Sequence, residues 1–169
     1  MRILGLDPGL RHTGWGVIEA SGSRLSHVAN GAVDSDKDRP IQERLLQLSE
    51  GIARVIAEFE PAEAAIEETF VSVNGASTLK LGQARGAILV APARAGIPVA
   101  EYPANLVKKS LTGTGHAAKG QMGMMVRTLF PGCALHGPDA ADALAVAVCH
   151  AHHAATERTW KMAAAAGAR

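Results

Sequence analysis

Carboxylates lie at the ends of two predicted strands and at the start of one predicted helix, where a side chain can project into a crevice. Asp7 ends an apolar run just before a Pro-Gly pair, and Glu67 and Glu68 end the run Ala-Ala-Ile-Glu-Glu. Asp139 and Asp142 lie three residues apart at the start of a predicted helix, so both face the same side of it. Only oxygen ligands occur in this set, which suits Mg²⁺ or Mn²⁺ and not zinc. Together the acids indicate a site where divalent ions assist phosphodiester hydrolysis.

Each acid also has a simpler explanation when taken alone. An Asp before Pro-Gly is commonly a turn former, and an acid at a strand end can simply reach water. Capping and the helix dipole favour Asp at the start of a helix without any catalysis. The combination of three such places, and not any single acid, favours the metal site.

Charge is distributed unevenly along the chain, although the net charge is only +1. Residues 1–70 carry 7 Lys/Arg and 12 Asp/Glu, whereas residues 71–138 carry 7 Lys/Arg and a single acid. A basic middle segment beside a cluster of carboxylates is what a metal-dependent nuclease needs in order to hold a polyanion. A solvated face with a chance bias is the alternative.

Hydrophobic patterning and breaker residues predict strands and helices that could position these acids. Three strands joined by turns open the chain, and helical crossovers join the later strands, which are therefore parallel. The chain is thus predicted to form an α/β domain with a mixed five-stranded sheet and helices on both faces. The predicted strands are 2–6, 13–20, 25–33, 62–67 and 97–102, and the predicted helices are 40–60, 75–95, 104–111, 118–129 and one from 138 past 148.

Only one of the adjacent acids Glu67 and Glu68 can face Asp7, because side chains alternate along a strand. Glu67 shares a face with Ala65, and Glu68 shares the face of the larger Ile66. Ile66 is expected to pack against a helix, and the small face of Ala65 leaves space for ions. This pattern predicts Glu67 as the ligand.

Length and composition fit one globular domain of an intracellular enzyme. The 169 residues are 47% hydrophobic and 20% charged, as in a soluble domain. No signal peptide or membrane helix is predicted. The two cysteines match neither a disulfide framework nor a zinc spacing, which favours a cytoplasmic location. A domain over residues 1–154 and a loosely ordered C-terminal tail over residues 155–169 are expected.

Seven segments of the chain together resemble the RuvC family of Holliday junction resolvases, over residues 1 to about 153. The resemblance implies an RNase H-like fold and a structure-specific endonuclease that resolves four-way junctions by paired symmetric nicks in recombination and repair. It implies a catalytic set of Asp7, Glu67, Asp139 and Asp142 with two Mg²⁺ or Mn²⁺ ions, although some relatives have His at the position of Asp139. The matching segments are Leu4-Gly-Leu-Asp-Pro-Gly, Thr13-Gly-Trp-Gly-Val, Ala65-Ile-Glu, Leu79-Lys-Leu-Gly-Gln-Ala-Arg-Gly, Val107-Lys with Ala118-Lys, Met125-Val-Arg-Thr-Leu and Asp139-Ala-Ala-Asp-Ala-Leu-Ala.

The resemblance also assigns DNA contacts. Lys108 and Lys119 match family lysines that approach the scissile phosphate, where a cation offsets charge in the transition state, so Lys119 is also assigned to the catalytic set. Phe70 matches an aromatic residue that stacks on bases at the crossover, although a core position is the alternative. Four polar residues nearby are expected to contact the DNA backbone, namely Asn74, Ser77, Lys80 and Arg85.

Two further features bear on partners. Gly82 and Gly86 leave a bare stripe on one helix, which suits either intrachain packing or a dimer interface; the resemblance favours a homodimer and implies contact with the branch-migration proteins RuvA and RuvB. His150, His152 and His153 crowd a helix end with no acidic or thiol partner in the sequence, so a metal site there is not favoured.

Two rival functions remain open at this point. A strand-end Asp and a later Thr-Gly also open actin-like ATPases and sugar kinases, although these normally need two such domains. A junction-binding module with structural acids is the second rival. ATP hydrolysis without nuclease activity would favour the first, and junction binding without cleavage would favour the second.

Overall fold

Five strands form one mixed sheet in the computed structural model, which describes the backbone of residues 1–68, 74–113 and 120–167 and the side chains through residue 154. The strand order is β3-β2-β1-β4-β5. The first three strands are antiparallel, whereas β4 runs parallel to both β1 and β5. The mixed five-stranded sheet predicted above is therefore confirmed. The strands are β1 (Arg2–Asp7), β2 (His12–Ser21), β3 (Arg24–Asp34), β4 (Glu63–Glu67) and β5 (Val99–Tyr102).

Helices cover both faces of the sheet, as predicted. Helices α1 and α2 lie on one face, and α5 lies on the other with α3 and α4 packed against it. Helix α4 begins later than the predicted residue 118: Gly120 has φ of +87°, outside the helical region, and residues 114–119 lie outside the described part of the chain. The helices are α1 (Ile41–Phe59), α2 (Gly75–Arg94), α3 (Ala104–Thr112), α4 (Gln121–Leu129) and α5 (Pro138–Gly167).

Alternation along β1 sends Leu4 and Leu6 to one face of the sheet and Ile3 and Gly5 to the other. Leu4 and Leu6 are fully buried in the cluster formed with α1 and α2. Burying a side chain of this size contributes roughly 1.5–3 kcal/mol, so this face supplies much of the packing energy. Gly5 lies on the opposite face, beneath α5.

A strip of three glycines on β1 and β2 lets α5 lie directly on the backbone of the sheet. A Cβ atom at Gly5 would lie 2.7 Å from the backbone nitrogen of Ala147, and one at Gly16 would lie 2.6 Å from Cγ of Leu144. A side chain at Gly14 would overlap the carbonyl of Asp139. Because Gly5 pairs with Gly16 across the ladder, the strip is continuous, and it fixes the position of α5 on the sheet.

Asn30 ties the segment between α4 and α5 to strand β3. Its side-chain amide donates to the carbonyl of Ala134 at 3.0 Å and contacts Nε2 of His27 at 2.9 Å. Its side-chain oxygen accepts from the backbone N–H of His136 at 2.9 Å. Asn30 is buried, so these bonds hold the 131–137 segment firmly against the sheet.

Among the residues described, no helix combines the length and the apolar character that crossing a membrane requires.

Candidate active site

Asp7 is the last residue of β1, and the loop that follows it is braced from two sides. Oγ1 of the fully buried Thr13 donates to the carbonyl of Gly9 at 2.8 Å. Nη2 of Arg44, on α1, donates to the carbonyl of Leu10 at 3.3 Å. These bonds replace the ladder bonds that the chain loses as it leaves the sheet, so the end of β1 has a fixed position.

Glu67 lies on the same face of the sheet as Asp7. The parallel ladder pairs Gly5 with Ala65 and Leu6 with Ile66, so the next step places Asp7 beside Glu67. Ile66 packs into the cluster with α1 and α2, and Ala65 packs on the α5 side. The structure therefore agrees with the predicted register, in which Glu67 and not Glu68 faces Asp7.

Asp139 and Asp142 come to the same place from the start of α5. The backbone of Asp139 lies over Gly14, and Gly14 is the ladder partner of Asp7. The first turn of α5 therefore begins above the end of β1. Asp142, one turn further along, lies close enough to Glu67 of β4 to raise the pKa of that carboxyl. The sheet and one helix start thus bring together all four predicted acids.

Burial and mutual repulsion make the ionised forms of Asp7, Glu67 and Asp142 unfavourable. Burial, followed by the charges of Glu67, Asp142 and Asp139, raises the pKa of Asp7 to about 8. The pKa of Glu67 is raised by burial and then by Asp142, and that of Asp142 is raised by burial and then by Asp139. The half-buried Lys108 opposes both of these shifts.

The donor set fits a hard divalent cation. Four carboxylates lie close together with Lys108 nearby, and a bound cation would offset the repulsion that raises the pKa values of Asp7, Glu67 and Asp142. Among the described residues, no group of three or more His, Cys, Asp or Glu side chains is already closed around one point. The acids are therefore close enough to affect one another's ionisation, but they do not form a complete metal-coordination shell.

The residues predicted to contact DNA differ in their surroundings. Phe70 and Lys119 lie outside the described residues. Ser77 and Lys80 are exposed on α2, whereas the side-chain oxygen of Asn74 caps that helix by accepting from the N–H groups of Ala76 and Ser77 at 3.1 and 3.2 Å.

Arg85 is engaged within the chain. Its guanidinium forms an ion pair with Glu101 on β5, and its Nε is buried. Glu101 is the single acid among residues 71–138, which also carry seven Lys or Arg. The charge count alone could not show which of these seven cations pairs with Glu101.

Sequence reasoning missed a buried polar network that joins β4, β5 and α5. Nε2 of His150 lies 2.8 Å from Oε2 of Glu63, and Nδ1 lies 2.9 Å from the hydroxyl of Tyr102. The expectation that this histidine cluster lacks an acidic partner is therefore wrong for His150. Its partner is 87 residues away, and only the packing of α5 on β4 brings the two together.

A cleft beside Asp142 is the second feature that sequence reasoning missed. It has a volume of about 740 Å³ and is lined by parts of α3, α4 and the start of α5. Arg127 and Lys108 contribute to its walls. Met125-Val-Arg was part of the family resemblance, but no role followed from it.

Comparison with known proteins gives consistent results. Residues 3–150 match the family described as crossover junction endodeoxyribonuclease RuvC. Proteins of that name are 63% identical over 94% of this chain in Paramagnetospirillum magneticum, covering 95% of that protein, and 60% identical over the full length of both chains in Rhodospirillum rubrum. A solved structure described as T. thermophilus RuvC in complex with Holliday junction substrate overlaps with a TM-score of 0.85 at 35% identity, covering 93% of this chain and 96% of that one. This overlap confirms the RNase H-like fold.

Proposed function

The chain belongs to the RuvC family of crossover junction endodeoxyribonucleases, and from that membership we propose that it resolves four-way junctions with Asp7, Glu67, Asp139 and Asp142 as its metal ligands. It is a metal-dependent hydrolytic nuclease of the Holliday junction resolvase family. The observation that carries the assignment of the acids is their convergence from β1, β4 and α5 on one edge of the sheet.

Two Mg²⁺ or Mn²⁺ ions are proposed as the cofactors. When bound, such ions supply a water nucleophile of lowered pKa and offset charge on the scissile phosphate. Asp7 and Glu67 are suited to hold them because the two side chains emerge side by side from parallel strands. Asp142 approaches from the helix, and Asp139 acts either as a further ligand or as an acid–base helper.

Lys108 is proposed to contact the scissile phosphate. Its charge already acts on both Glu67 and Asp142, so it lies at the acid cluster and not on a remote surface. A cation in this place stabilises the charge that develops on phosphate oxygens in the transition state. Lys119 and Phe70 keep the roles implied by the family resemblance, and Asn74, Ser77, Lys80 and Arg85 remain proposed backbone contacts, of which Arg85 would first have to leave Glu101.

A homodimer is proposed as the working assembly. A Cβ atom at Gly82 or Gly86 would meet nothing within 4 Å, so packing within the chain does not explain the bare stripe on α2. The large side chains of Leu46 and Val90 are exposed on the same side of the helix pair α1 and α2. A two-fold interface there would give each junction two acid sites, one for each opposed strand.

Most of the remaining expectations rest on the family resemblance. Contact with RuvA and RuvB and roles in recombination and repair are proposed on that basis, and a cytoplasmic location is proposed from the cysteine usage. The division into a nuclease domain over residues 1–154 and a tail over residues 155–169 is also a proposal, supported by the match to the family over residues 3–150, and the backbone of the tail continues helix α5 as far as Gly167.

A strand-mapped cleavage assay on a synthetic mobile four-way junction tests the proposal. With Mg²⁺ or Mn²⁺ we expect symmetric nicks in two opposed strands, leaving ends that a ligase can seal, and no cleavage in chelator. Linear duplex of the same sequence is the matched control. Equal digestion of linear duplex, or junction binding without cleavage in either ion, would contradict the proposed function.

A further inference from the structure

The cleft beside Asp142, here called the methionine cleft, has walls unlike those of the acid site. Its side walls are largely apolar, and its volume of about 740 Å³ lies within the range of pockets that enclose small organic groups. Two methionines contribute, and methionine adapts to the shape of flat or irregular ligands. The apolar lining consists of Met122, Met124, Leu135, Pro138 and Ala141.

In the described part of the chain, three charged side chains also line this apolar space. Lys108 and Asp142 belong both to the cleft and to the acid site, so the two spaces are continuous. Arg127 on α4 adds a second cation among the lining residues. A ligand with a phosphate near Asp142 and an apolar, planar group further along would therefore find a matching partner for each part.

The walls of the cleft are held in place before any ligand arrives. Leu135 and Gly137 lie on or beside the segment that Asn30 ties to β3, and Pro138 and Ala141 belong to the first turn of α5. Ala141 is buried, and Leu135 packs against the core cluster beneath α5. A preformed space of this kind costs little ordering free energy when it is filled.

We propose that the methionine cleft receives one unstacked nucleobase of the cleaved strand, next to the scissile phosphate, and thereby contributes to the choice of cut site. The inference rests on the proposed nuclease function, because it takes the scissile phosphate to lie at Asp142. The apolar side walls accept a base by its faces and its size, so discrimination arises from shape and apolar contact more than from hydrogen bonds. Base flipping into apolar pockets follows the same energetics, since an extruded base recovers contact that it loses on leaving the stack.

Gly123 offers a way to fill the cleft without disturbing the fold. It lies on α4 and lines the cleft, and a Cβ atom there would lie 3.9 Å from Cδ1 of Leu135 and 4.0 Å from Cβ of Ala141. Gly123→Leu therefore projects a side chain into the cleft, and it also favours the helix, because Gly is the poorer helix former by roughly 0.5–1 kcal/mol. Thr128→Leu places the same side chain at an exposed position of α4 outside the cleft lining and is the matched control.

The test uses junctions with 2-aminopurine placed in turn at each nucleotide flanking the cut, bound by the full chain carrying Asp7→Asn to prevent cleavage. We expect binding to raise the fluorescence at one of these positions several-fold. The additional Gly123→Leu change should abolish the rise, and Thr128→Leu should retain it. With cleaving enzyme, an abasic site at that position should lower kcat/KM at least tenfold, and Gly123→Leu should lower kcat/KM on the intact junction by a similar factor.

Two outcomes would overturn the inference. Fluorescence that stays unchanged at every flanking position while binding is measurable would exclude an unstacked base. Gly123→Leu enzyme that cuts all junctions with the wild-type base profile would exclude the cleft as its place. Either result with normal junction cleavage leaves the proposed nuclease function intact, whereas a wild-type chain that cuts no junction would contradict that function itself.

Discussion

Gly14 lies directly beneath the backbone carbonyl of Asp139, so the absence of a side chain on β2 determines where the first turn of α5 begins. The ladder partner of Gly14 is Asp7. Because Gly14 has no side chain, α5 can begin close to the sheet. This close approach sets the distance between Asp7 of β1 and the two acids of α5.

Gly14→Ala should displace the start of α5 and separate Asp139 from Asp7. We expect cleavage to fall at least tenfold, since a small misplacement of catalytic groups is costly, and the free energy of unfolding to fall by about 1–3 kcal/mol from overpacking. Junction cleavage and urea unfolding measure the two effects. Gly75→Ala, where a Cβ meets nothing within 4 Å, is the control for stability, and a Gly14→Ala enzyme of unchanged activity would show that α5 tolerates the shift.

Asp7→Asn should abolish cleavage and retain junction binding. The substitution removes charge from the proposed metal site, while the basic middle segment proposed to hold the DNA is untouched. Strand-mapped cleavage and a gel-shift titration at fixed salt separate the two properties. If the folded variant loses junction binding instead, Asp7 contributes to the DNA surface and not only to the metal site.

The same substitution should stabilise the metal-free protein at alkaline pH. The pKa of Asp7 is raised to about 8 in the folded state from 3.8, so the folded protein binds the proton more tightly and loses stability as pH rises between these values. Asn has no such penalty. In chelator we expect a Tm advantage for Asp7→Asn at pH 8.5 of at least roughly 2–4 °C, equivalent to about 1 kcal/mol, which disappears near pH 4. Glu58→Gln, on the exposed side of α1, is the control and should give no comparable advantage.

Glu67→Gln should stop Mg²⁺-dependent cleavage, whereas Glu68→Gln should retain most of it. Glu67 shares the face of Asp7, and Glu68 follows the strand and bonds through its backbone N–H to the carbonyl of Tyr102 at 2.8 Å. The adjacent position is its own matched control. The measurement is the cleavage rate of each variant, after both are shown to be folded and to bind junctions. An inactive Glu68→Gln enzyme would mean that Glu68, and not Glu67, belongs to the proposed metal site.

His150→Phe should destabilise the domain, because it breaks a network that joins β4, β5 and α5. The substitution removes two hydrogen bonds, to Glu63 and to Tyr102, from a half-buried network, at a cost of about 2 kcal/mol. Tyr102→Phe removes one of these bonds and should cost about 1 kcal/mol. Urea unfolding measures both, and equal stability of the His150 variant and the wild type would mean that water replaces the imidazole.

The sequence was sufficient to place the strands, the acids and the side of β4 that carries Glu67, because alternation and helical spacing are local properties. The seating of α5 was not accessible in this way. Gly5, Gly14 and Gly16 are informative only once α5 is known to lie on that face, and the pairs Glu63–His150 and Asn30–His136 join residues 87 and 106 positions apart. The methionine cleft is assembled from three segments, none of which carries a periodic signal for a cavity.

The order of the elements along the chain also determines when, during synthesis, the acid cluster can form. Asp7 and Gly14 belong to the opening hairpin, but the carboxylates that complete the site arrive with α5, more than a hundred residues later in synthesis. At roughly 5–20 residues per second, a ribosome needs on the order of 10 s to bridge that gap. During this interval the glycine strip is bare and the proposed metal site lacks two of its acids, so we expect a nascent chain to cut DNA only after its last helix has docked.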